Sequence, residues 1–152
     1  MKKWWMAAIV AAMIVIGGAT IWFGATTNQP TMRLGDATFT IRVARTDAER
    51  RQGLSGTAKL DDSQAMILAF PGDNRWGVWM KDMRYPIDII WLNESKWVVD
   101  VRRNVKPESY PTTYRPGIDA RYVVEVKAGA VDRHRITIGS RAAFDAAKGT
   151  FE

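Results

Sequence analysis

The feature that most constrains this 152-residue chain is an uncharged run over residues 4–25, which directly follows Lys2 and Lys3. As a helix rising about 1.5 Å per residue, the run would be roughly 33 Å long, enough to cross a hydrocarbon core of about 30 Å. Positively charged residues favour the cytoplasmic side of a membrane. We therefore expect residues 1–25 to form a single membrane-spanning anchor, with the rest of the chain outside the cytoplasm.

A cleaved secretory signal is the alternative interpretation of the same segment. Such signals have an apolar centre of about 7 to 15 residues, with small residues three and one positions before the cut. The run here is longer, and a cut after Ala25 would leave Phe23 at the third position. Both interpretations place the domain outside the cytoplasm. It would lie at the cell membrane if the anchor is kept, and be periplasmic or secreted if the segment is removed.

Residues 26–31 are mostly polar, and we interpret them as a tether to a domain over residues 32–152. About 120 residues suffice for one domain with its own core but not for two. The chain has no cysteine, so no disulfide can support an exported domain and buried apolar surface must stabilise it. Large aromatic side chains are the candidates for that core: Phe39, Phe70, Trp76, Trp79, Trp91, Trp97 and Phe144.

The charge of the chain is mildly positive. Its formal net charge is +6, and removing Lys2 and Lys3 leaves 20 basic residues against 16 acidic ones. The arginines of the domain are scattered among acidic residues, which predicts a solvated mixed surface rather than a nucleic-acid groove. We therefore expect no nucleic-acid partner, and nucleic-acid binding is only a distant alternative.

The start of the domain has the pattern of a strand followed by a short helix. Over residues 37–45, apolar and polar residues alternate, as in a strand with one buried face. Thr46 is placed to cap a helix over Asp47–Gln52, and Gly53 is placed to end it. A helix of this length is not stable alone, so we expect it to dock on a sheet.

Further segments have the composition of strands. Residues 64–70 form an apolar run with the length of a strand buried on both faces, ended by residues 71–74. Residues 87–92 and 96–101 most simply pair as a hairpin. The remaining predictions are extended segments at 78–81, 121–127 and 135–138, a loop over 104–117, and a helix beginning at Arg141. Together they predict a mainly β (α+β) fold, a compact barrel-like sheet domain with one or two short helices, preceded by a single N-terminal transmembrane helix.

The domain resembles a known family through five ordered pieces of sequence. They are Glu49-Arg50 with Gly53-Leu54, Ala65-Met66 leading to Phe70, Trp79-Met80-Lys81, Pro86-Ile87-Asp88-Ile89, and Val124-Glu125-Val126 with Gly129. On these pieces, residues 44–139 are identified as a member of domain-of-unknown-function family 192, also called uncharacterised protein family 0127. The resemblance implies a compact, mostly β fold, often with an amino-terminal export signal or anchor, and no established reaction.

The chain departs from the family pattern just after the predicted helix. Ser55 follows Gly53-Leu54 where the family usually has methionine, and Thr57 stands where an arginine is common. The resemblance therefore implies no anion site at Thr57.

Two acidic residues interrupt apolar strands and are the first candidates for chemistry. A charge buried at Asp88 or Glu125 must be paired or must shift its pKa. In one hypothesis, the two carboxylates converge with Lys81 on a cleft, where one carboxylate holds a proton and acts as acid or base. In the other, they pair with Lys81, Arg50 or loop amides and hold the fold together.

A second group of residues is predicted to bind a ligand. The loop over residues 104–117 is the longest segment without apolar periodicity, and binding residues concentrate in such loops. The candidate ligand-binding residues are Arg50, Trp76, Tyr110, Tyr114 and Arg115. The alternative is a plain connector whose tyrosines pack on the barrel.

Several chemistries lack their residues. There is no cysteine nucleophile, and the one histidine, His134, lies between two arginines, so neither a metal site nor a Ser-His-Asp relay is expected. There is no glycine-rich phosphate loop, and we expect no cofactor. The sequence favours a membrane-anchored extracytoplasmic domain that binds a ligand or protein partner of the cell envelope and contacts the membrane through residues 4–25. An envelope hydrolase using Asp88 and Glu125 is the alternative.

Overall fold

The computed structural model describes residues 29–145. Over that range the chain forms nine β-strands, two short α-helices and one short 3-10 helix. Their bounds are β1 Thr31–Leu34, β2 Ala37–Ala44, α1 Asp47–Gln52, β3 Gln64–Asn74, β4 Val78–Trp79, β5 Ile87–Leu92, β6 Val98–Val105, the 3-10 helix Pro107–Ser109, β7 Thr113–Tyr114, β8 Ala120–Lys127, α2 Ala130–Arg133 and β9 Ala143–Asp145. The predicted anchor, residues 1–25, lies outside the described residues. None of the helices within residues 29–145 has the length and apolar character of a membrane span.

Seven strands form one sheet, a half-barrel in the order β6-β5-β8-β3-β2-β1-β9. Neighbouring strands are antiparallel except β2 and β3, which run parallel. The other two strands, β4 and β7, pair with each other as a separate two-stranded ribbon. The predicted mainly β fold with one or two short helices is confirmed.

Helix α1 lies in the connection between the parallel strands β2 and β3, and it has the ends that the sequence predicts. The side chain of Thr46 accepts a hydrogen bond from the backbone amide of Glu49 at 3.2 Å. The Glu49 carboxylate accepts one from the amide of Thr46 at 2.9 Å, and the two bonds form a capping box. The amide of Thr46, followed by that of Arg45, holds the pKa of Glu49 below its usual range. Gly53 ends the helix with a φ of +46°, which residues with a Cβ rarely adopt.

The sheet separates two apolar clusters, because successive side chains of a strand point to opposite faces. On β8, Val124 packs in one cluster and Val123 in the other. We call the first face the α2 face, since Ala130 and Val131 of α2 pack there. The opposite side is the α1 face, since Leu54, just after α1, packs there.

Strand β3 is longer than the sequence predicts. Its predicted end is Phe70, before Pro71 and Gly72, whereas the strand continues to Asn74. Its pairing with β8 shifts register between Ala69 and Asn74. Pro71, which has no amide hydrogen, therefore falls where no regular ladder bond is needed. The prediction is wrong here because an irregular stretch tolerates residues that usually end a strand.

The C-terminal part of the described chain differs most from the prediction. Residues 135–138, predicted as a strand, do not form one. The residues just before them, Ala130–Arg133, form the helix α2. The predicted helix from Arg141 is also wrong over Ala143–Asp145, which pair with β1 as β9. An alanine-rich composition favours a helix, but pairing at the edge of the sheet overrides that local preference.

The tryptophans divide between core and surface. Trp91 is fully buried, as predicted. Trp79 and Trp97 are 45% and 42% exposed, so their assignment to the core is wrong. Trp79 lies in the narrow β4–β7 ribbon, where Val78 takes the buried side and alternation places the next ring outside. Trp76, a candidate both for the core and for ligand binding, is half-buried.

Candidate ligand-binding cleft

A cleft of about 310 Å³ opens on the α1 face, between α1 and the β4–β7 ribbon. Strands β3 and β8 supply its floor. Much of its lining is apolar, from Leu54, Leu68, Phe70, Val78 and Met83. Small ligands bind in cavities of this size and character when a few polar groups are also present.

Glu125 lines this cleft from the middle of β8. Its register neighbours are Met66 on β3 and Ile89 on β5, and the residue is 6% exposed. Its Oε2 is the one buried side-chain nitrogen or oxygen in residues 29–145 that has no hydrogen-bond partner. Burial raises the pKa of the Glu125 carboxyl to about 7, an effect that the charge of Arg42 partly offsets.

The end of α1 shapes the space in front of this carboxyl group. Arg42 donates from Nη2 to the carbonyl oxygen of Gly53 at 3.1 Å, and this hydrogen bond fixes the position of Gly53. A Cβ on Gly53 would lie 3.7 Å from Oε2 of Glu125, so a larger side chain there would cover the carboxyl group. Burial also raises the pKa of Tyr85, whose hydroxyl shares a hydrogen bond of 2.6 Å with Thr57.

Three arginines line the cleft: Arg50, Arg51 and Arg115. The guanidinium group of Arg50 already has partners, because it pairs with Asp47 and its Nη1 donates to the carbonyl of Ala69 at 2.8 Å. Arg51 and Arg115 are exposed. Within the part of the chain that the structure describes, neither of these two forms an ion pair with a carboxylate.

Gly77 makes room for Arg115. The Nη1 of Arg115 donates to the carbonyl of Arg75 at 2.9 Å, which holds the side chain against Gly77. A Cβ at position 77 would lie 2.6 Å from Cγ2 of Thr113 and 3.1 Å from Cζ of Arg115. Any other residue at this position would therefore displace Arg115 or Thr113 in the cleft wall.

Trp79 extends the cleft wall with an exposed ring. Its ring meets that of Tyr110 edge-on, with centroids 6.1 Å apart. Tyr110 is 46% exposed, so the aromatic surface continues from the cleft towards solvent. Such rings offer flat amphipathic contact at a low cost in side-chain entropy.

Asp88 lies on the other face of the sheet. Glu125 pairs with Ile89, the residue after Asp88, and adjacent residues of a strand point to opposite sides. Asp88 is fully buried, and its two oxygens accept the backbone amides of Asn104 at 2.8 Å and Val131 at 3.0 Å. The structure therefore does not bring the two carboxylates together.

The remaining predicted site residues are spread around the cleft. Arg50 and Arg115 line it, whereas Lys81 is exposed and lies outside the lining. Trp76 and Tyr114 are half-buried and pack against the apolar cluster of the α1 face without lining the cleft.

Sequence reasoning misses three residues of the cleft: Arg51, Gly77 and Trp79. Gly77 has a local indicator, since a glycine beside an extended segment often marks close approach of another chain segment. Arg51 stands beside a predicted site residue in a predicted helix, although its neighbours across the fold are not visible in the sequence. For Trp79, an apolar setting favours the core, and no local pattern shows that the ribbon is uncovered on one side.

The lone histidine is away from the cleft. His134 follows α2, and its ring meets Phe39 edge-on with centroids 5.6 Å apart. Among residues 29–145, no three His, Asp or Glu side chains are grouped so that they could hold a metal ion.

Comparison with known proteins assigns the family. The family model DUF192, described as an uncharacterized ACR, matches residues 30–144. The chain belongs to the DUF192 family. A UPF0127 protein of Thermococcus sibiricus is 30% identical over 101 residues, which cover 65% of this chain and 62% of that relative. This match spans less than two thirds of the relative's length. The family predicted from the ordered sequence pieces is confirmed.

Two solved structures share this DUF192 fold. A protein of Sinorhizobium meliloti, named as a candidate transcription regulator, superposes with a TM-score of 0.72 at 23% identity, covering 76% of this chain and 92% of that one. A protein of unknown function from Novosphingobium aromaticivorans superposes with a TM-score of 0.71 at 24% identity, covering 74% and 83%. At these identities, the likeness concerns the fold alone.

Proposed function

We propose that this DUF192 protein binds a small ligand of the cell envelope in the cleft, and that residues 4–25 hold it at the membrane with the domain outside. The binding function rests on one observation, the partnerless Oε2 of Glu125 in an apolar cleft. A buried polar atom without a partner costs about 1 to 3 kcal/mol. A ligand that donates a hydrogen bond to it would offset part of that cost.

A hydrolase that uses Asp88 and Glu125 as a pair is a poorer explanation. Paired-carboxylate enzymes place both groups beside the same bond, within about 10 Å of each other. Here the two residues occupy opposite faces of the sheet, and both oxygens of Asp88 already accept backbone amides. In the proposed function, Asp88 therefore stabilises the fold and Glu125 contacts the ligand.

Residues 104–117, predicted as a loop, contain the end of β6, the 3-10 helix and β7. Two of the binding residues predicted in this segment belong to the proposed site. Arg115 lines the cleft, and Tyr110 contacts Trp79 on the cleft wall. The segment thus supplies one cation and one aromatic ring to the proposed site.

A fragment screen followed by amide NMR tests the cleft, using the full chain in detergent micelles. We expect bound fragments to shift the amides of Gly53, Leu54 and Val78, because these residues line the cleft. The variant Glu125→Gln should change the affinity of fragments that carry a hydrogen-bond donor. Arg84→Gln is the control, since Arg84 is exposed and outside the cleft lining. A screen without binders, or with binders only at other surfaces, would refute the cleft as a site.

Protease treatment tests the location. Lys2 and Lys3 before the uncharged run favour a cytoplasmic N-terminus. Protease added to intact cells with a permeable outer layer should therefore digest the domain and leave a membrane-bound stub containing residues 4–25. Protection of the whole chain until the cells are lysed would overturn this orientation.

A further inference from the structure

The charges of the cleft favour an anion. Its lining contains three arginines and two carboxylates, Asp47 and Glu125. Asp47 is paired with Arg50, and Glu125 is nearly fully buried. Arg51 and Arg115 are therefore the exposed cleft cations that no carboxylate of residues 29–145 neutralises. A guanidinium group presents parallel N–H donors that match the two oxygens of a carboxylate.

The walls of the cleft favour a flat apolar body. Leu54, Leu68 and Val78 supply aliphatic surface, and Trp79 adds an exposed ring. A volume of about 310 Å³ lies near the lower end of the range of small-ligand sites, about 300 to 1,000 Å³. The cleft therefore suits a small ligand, such as one aromatic ring with short substituents.

The deepest polar group of the cleft favours a hydroxyl. Oε2 of Glu125 has no partner, whether the carboxyl group is ionised and accepts or is protonated and donates. A hydroxyl can do both, so it suits either form. An ammonium group suits only the ionised form and would be repelled by the arginines of the cleft.

Resting on the proposed binding function, we propose that the cleft selects a small hydroxylated organic carboxylate with a flat apolar body. Its carboxylate pairs with Arg51 and Arg115, its body packs against Trp79 and the aliphatic wall, and its hydroxyl hydrogen-bonds Glu125. Gly77 acts in this selection as a positioning residue, because it gives Arg115 the space to lie against the cleft wall.

A matched set of four probes tests the selection on the full chain in detergent micelles. The probes are para-hydroxyphenylacetate, phenylacetate, para-hydroxyphenylacetamide and tyramine, which share a ring and differ in the hydroxyl or in the charge. We expect para-hydroxyphenylacetate to shift the amides of the cleft at the lowest concentration. Its neutral amide should bind at least about tenfold more weakly, and tyramine should not bind.

Variants assign each part of the preference. Arg51→Gln and Arg115→Gln should each reduce the preference for the carboxylate over its amide, whereas Arg84→Gln should leave it unchanged. Glu125→Met keeps the size of the side chain and removes its hydrogen-bonding atoms, so it should remove the advantage of para-hydroxyphenylacetate over phenylacetate. Cleft binding of the amide or of tyramine as tight as that of the carboxylate would overturn the anion selection while leaving the binding function intact. Failure of all four probes to shift the cleft amides would overturn the proposed ligand class, and the fragment screen then decides separately whether the cleft binds anything.

Discussion

Asp88 and Glu125 occupy adjoining register positions on paired strands, yet they face opposite sides of the sheet. On the α2 face, Asp88 is fully buried and its oxygens accept the amides of Asn104 and Val131. On the α1 face, Glu125 is almost as buried, but its Oε2 has no hydrogen-bond partner among residues 29–145, and burial raises the pKa of its carboxyl group to about 7. The two residues interrupt apolar strands in the same way and have different environments.

The difference comes from what covers each face. On the α2 face, the amide at the start of α2 and that of Asn104, which adopts a φ of +50°, both reach Asp88. The α1 face is covered by the short helix α1, the narrow β4–β7 ribbon and connecting segments that carry Leu60, Met80 and Tyr85. The cleft remains between α1 and the ribbon. A carboxylate that backbone amides satisfy stabilises the fold, whereas one beside an open cleft keeps its hydrogen-bonding capacity for a ligand.

The largest effect is expected on the α2 face. Asp88→Ala should lower the free energy of unfolding by about 2 to 4 kcal/mol, because the buried amide of Val131 loses its acceptor at about 1 to 3 kcal/mol and the part-buried amide of Asn104 loses its own at about 1 kcal/mol. Asp88→Asn should lose less, since it keeps the size and one acceptor. Denaturant unfolding of the full chain in detergent measures both variants. If Asp88→Ala unfolds like the parent, the two amides have other partners and the contrast between the faces fails.

The next effect concerns the pH dependence of stability on the α1 face. The pKa of Glu125 is about 7 in the folded chain against a reference of 4.5, so the folded state holds a proton that the unfolded state releases between these values. Stability should therefore fall as pH rises through this window, by up to about 3 kcal/mol, and stay at the lower value above it.

Glu125→Gln provides the check, because glutamine resembles the protonated carboxyl group. The variant should melt like the parent at pH values near the lower end of the window and at a higher temperature than the parent above its upper end. An unchanged pH slope in the variant would show that Glu125 does not carry this dependence.

The smallest effect is expected from alanine substitutions at Gly53 and Gly56. Comparing the two variants separates the cost of backbone strain from the loss of ligand access to Glu125. Gly53 and Gly56 both have positive φ, so replacing either by alanine should strain the backbone. The cost is about 1 to 3 kcal/mol at Gly53, whose ψ of −122° lies outside the left-handed helical region, and about 1 to 2 kcal/mol at Gly56. A Cβ at Gly53 approaches Glu125, whereas one at Gly56 meets nothing within 4 Å. Thermal unfolding should show a loss of stability in both variants, while fragment binding in the cleft should weaken only in Gly53→Ala. Equal weakening in both variants would indicate a general loss of structure rather than a blocked carboxyl group.

Local sequence by itself determined the parts of this protein whose physics is local. The capping box of Thr46 and Glu49 and the glycine stop at Gly53 act within a single turn, and the helix forms where they predict it. Strands β5 and β8 follow from apolar runs that Asp88 and Glu125 interrupt, and the burial of these two residues follows from their positions in those runs. The ordered pieces of sequence also determined the family.

Only the tertiary structure decided where β9 pairs, which tryptophans are exposed, and which of the two buried carboxyl groups is satisfied. Each depends on contacts between segments that are distant in sequence. The hydrogen bond that holds Arg115 against the cleft wall joins residues 40 positions apart, and the one from Val131 to Asp88 joins residues 43 apart. Periodicity and capping act over a few residues, so they fix which side chains are buried in a strand. They carry no information about which distant backbone amides will meet those side chains, and that is what separates the fold-supporting Asp88 from Glu125 in the cleft.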